Sequence, residues 1–340
     1  MEQGGTLIRY RHKPSVIGFG AVVGKKEHDG PLGEYFDQYS SDDRFGKNTW
    51  EQAESEMQRL LFQLLLQKTG LQETGIGGIF AGDLQNQCAA SGYGLKSYDI
   101  PYFGLYGACS TMAESLLLAS AMVEGGFFDK AAAVSSSHFC SAERQFRSPI
   151  EYGGQRTPTS QWTVTGAGGV ILGKEGPGPY ISAVLPGRVV DKEIKDANNM
   201  GAAMAPAFID TLTRFFQESG TSPTDFDLIL SGDLGQVGYD IVMDLMGTQG
   251  YDLRNVYQDC GMMIYDSQTQ DVHAGGSGCG CSASVLCGYV LHQMRHGTFG
   301  RVLLLCTGAL LSTSSVLQGL SIPGIAHLIC FTSQRIGGGI

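Results

Sequence analysis

Parts of this chain occur twice, and that repetition constrains its fold more than any other feature. Phe80-Ala-Gly-Asp-Leu84 is matched by Leu230-Ser-Gly-Asp-Leu234, which sets Asp83 and Asp233 150 residues apart. Further on, Gly126-Phe-Phe-Asp-Lys130 is matched by Gly297-Thr-Phe-Gly-Arg301 at an offset of 171. The second pair of turns joins a long helical pattern to a buried, β-rich run. Two anchors in the same order, on the same kinds of element, point to an α/β unit that has been duplicated. The 21 extra residues of the second copy fall between the anchors, around Tyr251 to His273.

The periodicity between the anchors fits this reading. Thr49 to Lys68 is predicted helical, with apolar residues Ala53, Met57, Leu60, Leu61 and Leu64 at helical spacing. Thr49 and Gln52 have capping-box spacing and Gly70 is a stop signal. Strands are predicted near Ser15 to Val23, Ile76 to Ala81 and Lys130 to Ser135. A later block repeats the theme, with Tyr180 to Val190 as a strand, Met200 to Ser219 as a helix and Leu228 to Ser231 as a strand. Cys281 to Arg295 then reads as a helix and Val302 to Cys306 as a strand. At 340 residues the chain exceeds the usual size of a single core, so two lobes are expected, 1–175 and 176–340.

Composition removes several function classes. The formal charge is −10 and no basic run follows the spacing of a phosphate backbone, which argues against nucleic-acid binding. The same charge disfavours simple electrostatic docking on anionic lipid. No apolar stretch approaches the ~18 residues of a membrane span, and the first residues lack an apolar signal core. Nine cysteines, an odd number in a chain with 42% hydrophobic residues, suit a reducing compartment better than a disulfide framework.

The chemistry-bearing segment is Tyr106-Gly-Ala-Cys-Ser-Thr-Met112. A strand-like run, Ile100 to Leu105, enters it, and Ala113 to Val123 leaves it as a helix. Gly107 and Ala108 are small enough for a sharp turn that carries the Cys109 thiol at its tip. A helix N-terminus offers free N–H groups and a positive dipole end, which favour a thiolate or a bound anion. A small buried cysteine that merely fills space explains the same residues.

Gly107-Ala-Cys-Ser-Thr111, behind an Ala-Gly-Asp-Leu strand end in a duplicated α/β chain, resembles the nucleophile elbow of the thiolase superfamily. Within it the chain resembles the stage V sporulation protein AD family of endospore-forming bacteria. The segments that carry the likeness include His28-Asp-Gly-Pro-Leu-Gly33, Ala81-Gly-Asp-Leu-Gln-Asn-Gln87, Ser136-Ser-His138 and Ala142-Glu-Arg-Gln-Phe-Arg147. Glu151-Tyr-Gly-Gly154, Met204-Ala-Pro206, Ala274-Gly-Gly-Ser-Gly-Cys279 and Ile325-Ala-His327 extend it over nearly the whole chain. The resemblance implies a thiolase-like, duplicated five-layer αβαβα fold and a homodimer joined through a strand of the first half. It also implies binding of dipicolinic acid (pyridine-2,6-dicarboxylate), free or as its calcium chelate, within the SpoVA system that loads the developing spore. The implied partners are the other SpoVA membrane proteins, at the inner spore membrane. No cofactor and no resident metal are expected.

Condensing enzymes of the superfamily pair the cysteine with partners from the second half. Their His-Gln-Ala-Asn motif follows the strand that ends here in Ser231-Gly-Asp-Leu-Gly235, where no histidine stands. Their Asn falls by spacing at about Cys279. A cysteine without a positioned base has little condensing power, so a binder is expected. An acyltransferase using Cys109, and a scaffold with a vestigial pocket, are the alternatives.

A planar dianion needs donors at both ends, and the expected site is Asp83, Cys109, His138, Arg144, Arg147 and His327. An arginine grips a carboxylate through two parallel hydrogen bonds. Each arginine also reads as an ion pair with Glu143 or Glu151, and His138 as a satisfied core imidazole. Asp83 would repel a dianion directly; it is expected to orient His138 or an arginine, or to meet a cation that accompanies the ligand. Lys25 to Lys47 reads as a solvated loop, or as a mobile lid or partner surface. Trp50 and Trp162 read as packing residues.

Overall fold

In the computed structural model, residues 5–146 and 156–335 are described; Arg147 and Glu151 lie outside them. Two twenty-residue helices, α1 (Trp50–Thr69) and α5 (Met200–Ser219), begin and end alike. The Thr49 side chain accepts from the N–H of Gln52, and the Asn199 side chain from that of Ala202. Both helices stop at a glycine in the left-handed region, Gly70 at φ 66° and Gly220 at φ 72°. Cap, length and stop therefore recur at the 150-residue offset. The buried stripe of α1 carries Met57, Leu61 and Leu65, and with them two polar residues, Glu54 and Gln58.

The strands repeat in the same manner. The first half supplies β1 (Ser15–Gly24), β2 (Ile79–Gly82), β3 (Tyr102–Gly104), β4 (Lys130–Ser137) and β5 (Gly166–Gly173). The second supplies β6 (Tyr180–Leu185), β7 (Leu228–Ser231), β8 (Tyr257–Asp259), β9 (Arg301–Ala309) and β10 (Gly324–Thr332). Their orders are β3-β2-β4-β5-β1 and β8-β7-β9-β10-β6, the same path twice, and the halves meet where Ser15 pairs with Tyr180. Ile79 pairs with Ala132 and Ile229 with Leu303, so the register reproduces both sequence offsets.

Helices fill the spaces around these sheets. The first half adds α2 (Ala89–Leu95), α3 (Thr111–Glu124) and α4 (Phe139–Phe146). The second adds α6 (Gly235–Thr248), α7 (Cys279–Val285) and α8 (Leu291–Arg295), the last two joined by a π turn over Leu286–Val290. Helices α1 and α2 pack on the outer face of the first sheet and α5 and α6 on that of the second, while α3 and α7 lie between the sheets. Five layers result. The central helices are buried almost all round, with Met112, Leu116 and Val285 at 0% exposure. Burying each such side chain contributes about 1.5–3 kcal/mol. The approach of α7 to β5 depends on Gly168, where a Cβ would lie 2.2 Å from the carbonyl oxygen of Ala283.

Several boundaries differ from the sequence reading. β6 stops at Leu185 because Pro186 has no N–H to continue the ladder, and Val190 makes only an isolated bridge to Gly324. The helix expected from Cys281 begins at Cys279. The extra residues of the second half are also split: Tyr102 and Tyr257 hold the same register place, at an offset of 155. Most of the excess therefore follows β8. Among the described residues no helix is long and apolar enough to cross a membrane.

Candidate functional site

β3 delivers the chain to a single 3-10 turn, Ala108–Ser110, which runs straight into α3. Small hydroxylated residues are needed because the turn is tied by their side chains. The Ser110 hydroxyl donates to the carbonyl of Gly107 at 2.6 Å, and that of Thr111 to the carbonyl of Ala108 at 2.6 Å. The N–H of Gly107 closes the loop on the Thr111 hydroxyl at 3.1 Å. Ala108 is held at φ 51°, a strained conformation for a residue with a Cβ. Cys109 thus sits at a strained elbow, at 7% exposure.

Its thiol interacts with the carboxylate of Asp233, which comes from the loop after β7. The same carboxylate accepts from the N–H of Gly278 at 2.9 Å and the hydroxyl of Thr307 at 2.8 Å. Burial raises Asp233 to about 7, against the hydrogen bonds that stabilise its charge. Burial, and after it the Asp233 charge, push the Cys109 thiol well above its ordinary value. At neutral pH the thiol keeps its proton.

Beside Cys109 lies a cavity of about 160 Å³. Leu84, Ala142, Phe146, Met200 and Leu311 give it apolar walls. Tyr106, Gln161, Thr163, Asn198 and Ser277 give it neutral polar groups. Gln161 is fixed by donating to the carbonyls of Asp233 at 2.7 Å and Gly276 at 2.9 Å. Among the described residues Glu143 is the charged side chain of the lining, and no lysine or arginine joins it.

Of the five expected site residues that are described, the structure brings only Cys109 to the lining of this cavity. Asp83 is buried away from it, its oxygens accepting from the N–H of Gln85 at 2.9 Å and from the N–H and hydroxyl of Ser91 at 2.8 and 2.6 Å. It pins its own loop rather than orienting His138 or an arginine. His138 is a satisfied core imidazole. Its Nδ1 accepts from the N–H of Cys140 at 3.1 Å, so Nε2 carries the hydrogen and donates to the carbonyl of Asp43 at 2.7 Å. Burial lowers its pKa. Arg144 is exposed; it pairs with Glu51 at 2.8 Å and lies over Trp50. His327, on β10, accepts from the N–H of Gly187 at 3.1 Å, and burial lowers it to about 4. Arg147 lies outside the described residues.

Two buried acids near the cavity escaped the sequence reading. Asp233 served there only as a mark of duplication, although the absence of a histidine from Ser231–Gly235 was an available signal. Glu54 gave none, because it sits in an ordinary helical stripe. It is fully buried and accepts from Gln85, Ser136 and Ser141 at 2.8 to 2.9 Å. Ser141 belongs to α4, the helix that presents Ala142 and Phe146 to the cavity.

Comparison with known proteins agrees with this geometry. Among solved structures, 3-oxoacyl-[acyl-carrier-protein] synthase III from Aquifex aeolicus VF5 superposes with a TM-score of 0.55 at 13% identity, covering 93% of this chain and 99% of that one. Cerulenin-bound OleA from Xanthomonas campestris superposes with a TM-score of 0.60 at 13% identity, covering 95% and 97%. These likenesses establish the thiolase-like fold. Stage V sporulation protein AD of Bacillus subtilis (strain 168) is 42% identical over 329 residues, 97% of this chain and 96% of the relative. The family model described as stage V sporulation protein AD (SpoVAD) matches residues 4–332, and the chain belongs to that family.

Proposed function

We propose that this protein binds dipicolinate in the cavity beside Cys109, without catalysing a condensation, as the ligand-holding component of the SpoVA system. The observation that carries the non-catalytic part is the Cys109–Asp233 pair. A condensing cysteine needs a neighbour that removes its proton or stabilises its thiolate. A buried carboxylate opposes the thiolate. The fold shared with condensing synthases is the one observation on the side of an acyltransferase, and it says nothing of the residues around the thiol.

The cavity's volume suits one small ring, with apolar faces for the ring and neutral donors for its edge. A dianion leaving water needs compensation that the described lining does not supply. In this reading the compensation falls to Arg147, which follows the lining residue Phe146 in sequence, and to calcium carried with the ligand. A one-to-one calcium chelate is neutral, and Glu143, Gln161 and Asn198 offer oxygens to complete its shell. We further propose a homodimer through the β3 edge and attachment to the membrane proteins of the SpoVA system.

Calorimetric titration with dipicolinate, benzoate and glutarate, each with and without calcium, tests the reading. Saturable binding of dipicolinate is expected, tightened by calcium and lost after alkylation of Cys109. Steady turnover of an acyl-CoA by the wild type that disappears in Cys109→Ser would overturn it in favour of the enzyme.

A further inference from the structure

Behind one wall of the cavity lies a second cluster of charge. Gln161 and Thr163 face the cavity, and Trp162 between them is directed to the other side of the extended segment. The ring of Phe139 stacks on Trp162 at 3.7 Å, with 5° between the planes. Lys26 Nζ lies 4.0 Å and the Arg156 guanidinium 4.6 Å from the centroid of the same ring. Each contact is favourable alone, but two cations on one ring repel each other. Burial, and next the Arg156 charge, hold Lys26 below its ordinary pKa.

One acid serves both cations. Arg156 Nη2 donates to Oδ2 of Asp271 at 2.5 Å and to its carbonyl at 3.1 Å, while Lys26 reaches that carbonyl at 3.3 Å. His273 Nε2 lies 3.3 Å from the other carboxylate oxygen. Two cations thus meet at one exposed carboxylate, with the buried Glu27 also acting on Lys26, on a chain whose net charge is −10. Arg156 Nη1 is buried and has no hydrogen-bond partner. The two ends of the ion pair are also unlike: the Arg156 side chain is 10% exposed and that of Asp271 is 75% exposed. Asp271 and His273 belong to the segment after β8 that has no counterpart in the first half, and His273 is held there at φ 52°.

We propose that Lys26 and Arg156 form a carboxylate-binding site on Trp162, in which Asp271 stands in for an external carboxylate. Asp271 is free to leave because most of it is in water. An incoming carboxylate takes both guanidinium nitrogens as a fork, including the unpartnered Nη1, and Lys26 supplies the second charge. The carboxylate belongs either to a small acid or to an acidic side chain of a partner protein.

The chain has two tryptophans, so Trp50→Phe leaves Trp162 as its own fluorescent reporter. This variant is titrated with succinate and with a short polyglutamate peptide, against sodium chloride at matched ionic strength. Saturable change is expected with at least one probe, tightened about tenfold or more by adding Asp271→Asn and weakened about tenfold or more by adding Arg156→Gln. Saturation by succinate identifies a small acid, and saturation by the peptide alone identifies a partner's side chains. No saturable response in the Asp271→Asn background would overturn the site, as would an Arg156→Gln protein that melts normally and responds like its parent. Equal saturation by inorganic phosphate would overturn the carboxylate assignment.

Discussion

The thiol of Cys109 lies beside the carboxylate of Asp233, so the residue facing the elbow cysteine is an acid that raises its pKa. Every charged arrangement of the pair is penalised. Ionising the thiol places two negative charges together in a buried site, and ionising Asp233 alone still costs its hydration. The lowest state at neutral pH keeps the proton on sulfur and leaves no thiolate nucleophile.

Alkylation rates measure this directly. Iodoacetamide should modify Cys109 slowly at pH 7 to 8, and the rate should still be rising at the top of that range. Asp233→Asn removes the negative neighbour, which lowers the thiol pKa, and should speed modification about tenfold, a difference of about 1.4 kcal/mol. Peptide mass spectrometry would follow the site. A wild-type Cys109 that reacts as fast as free cysteine would refute the pairing.

The pH dependence of stability follows from other buried groups as well. Burial raises Glu27 and Asp233 to about 7, and burial with the nearby Asp83 charge raises Glu54. Their folded pKa values exceed the unfolded ones near 4, so the folded state holds extra protons and loses stability as pH climbs from about 4 through 7. His138 and His327 are lowered, His327 to about 4, and they cost stability as pH falls below about 6.5. The melting temperature should therefore fall by several degrees from pH 6 to pH 8. Glu54→Gln should flatten the alkaline side of the curve. A melting temperature that climbs from pH 6 to pH 8 would contradict the protonated carboxylates.

The duplication was legible because local chemistry repeats: a helix cap, a glycine stop and a Gly-Asp-Leu turn look alike wherever they occur. The site was legible only at Cys109, whose turn is built from its own neighbours Gly107, Ser110 and Thr111. The rest depends on contacts across the fold. Arg144 finds Glu51 from a helix 93 residues away, and no spacing rule announces that partner. Asp83 and Asp233 carry the same motif, yet one meets Ser91 and the other Cys109. Sequence likeness between the halves hid the one difference that matters for chemistry.

Arg144 or Arg147 was expected to grip the ligand, and Arg144 stands outside the described lining of the cavity. Its side chain is 50% exposed in a surface ion pair, a type worth about 0–1 kcal/mol. Arg144→Ala should leave dipicolinate affinity within about twofold of wild type, by calorimetry, and lower stability by less than about 1 kcal/mol. A tenfold loss of affinity would return Arg144 to the site.

Strain at the elbow offers a separate test. Ala108 at φ 51° costs about 1 kcal/mol relative to a residue that tolerates the left-handed region. Ala108→Gly should relieve most of that, less the added freedom of the unfolded chain, and stabilise by about 0.5–1 kcal/mol in urea unfolding. Destabilisation would mean that the Ala108 side chain packs against the cavity more strongly than the backbone is strained.

The last prediction concerns two tyrosines at one register place. Tyr102 on β3 and Tyr257 on β8 pair with Ile79 and Ile229 respectively, yet Tyr102 is 40% exposed and Tyr257 1%. The cause is the helix that follows each inner strand. In the second half α6 runs fourteen residues and lays Tyr239 on Tyr257 at 4.7 Å, while Phe208 of α5 closes the other approach at 5.3 Å. In the first half α2 runs seven residues, and the edge of β3 is left open with Phe103 and Tyr106 exposed at 41% and 44%. An uncovered aromatic edge strand invites pairing with another chain, and the occupant proposed for it is a second copy. Sedimentation velocity should find a dimer at micromolar concentration, and Phe103→Glu should shift it to monomer while the melting temperature stays within a few degrees. A wild type that sediments as a monomer across that range would leave β3 without the partner proposed for it.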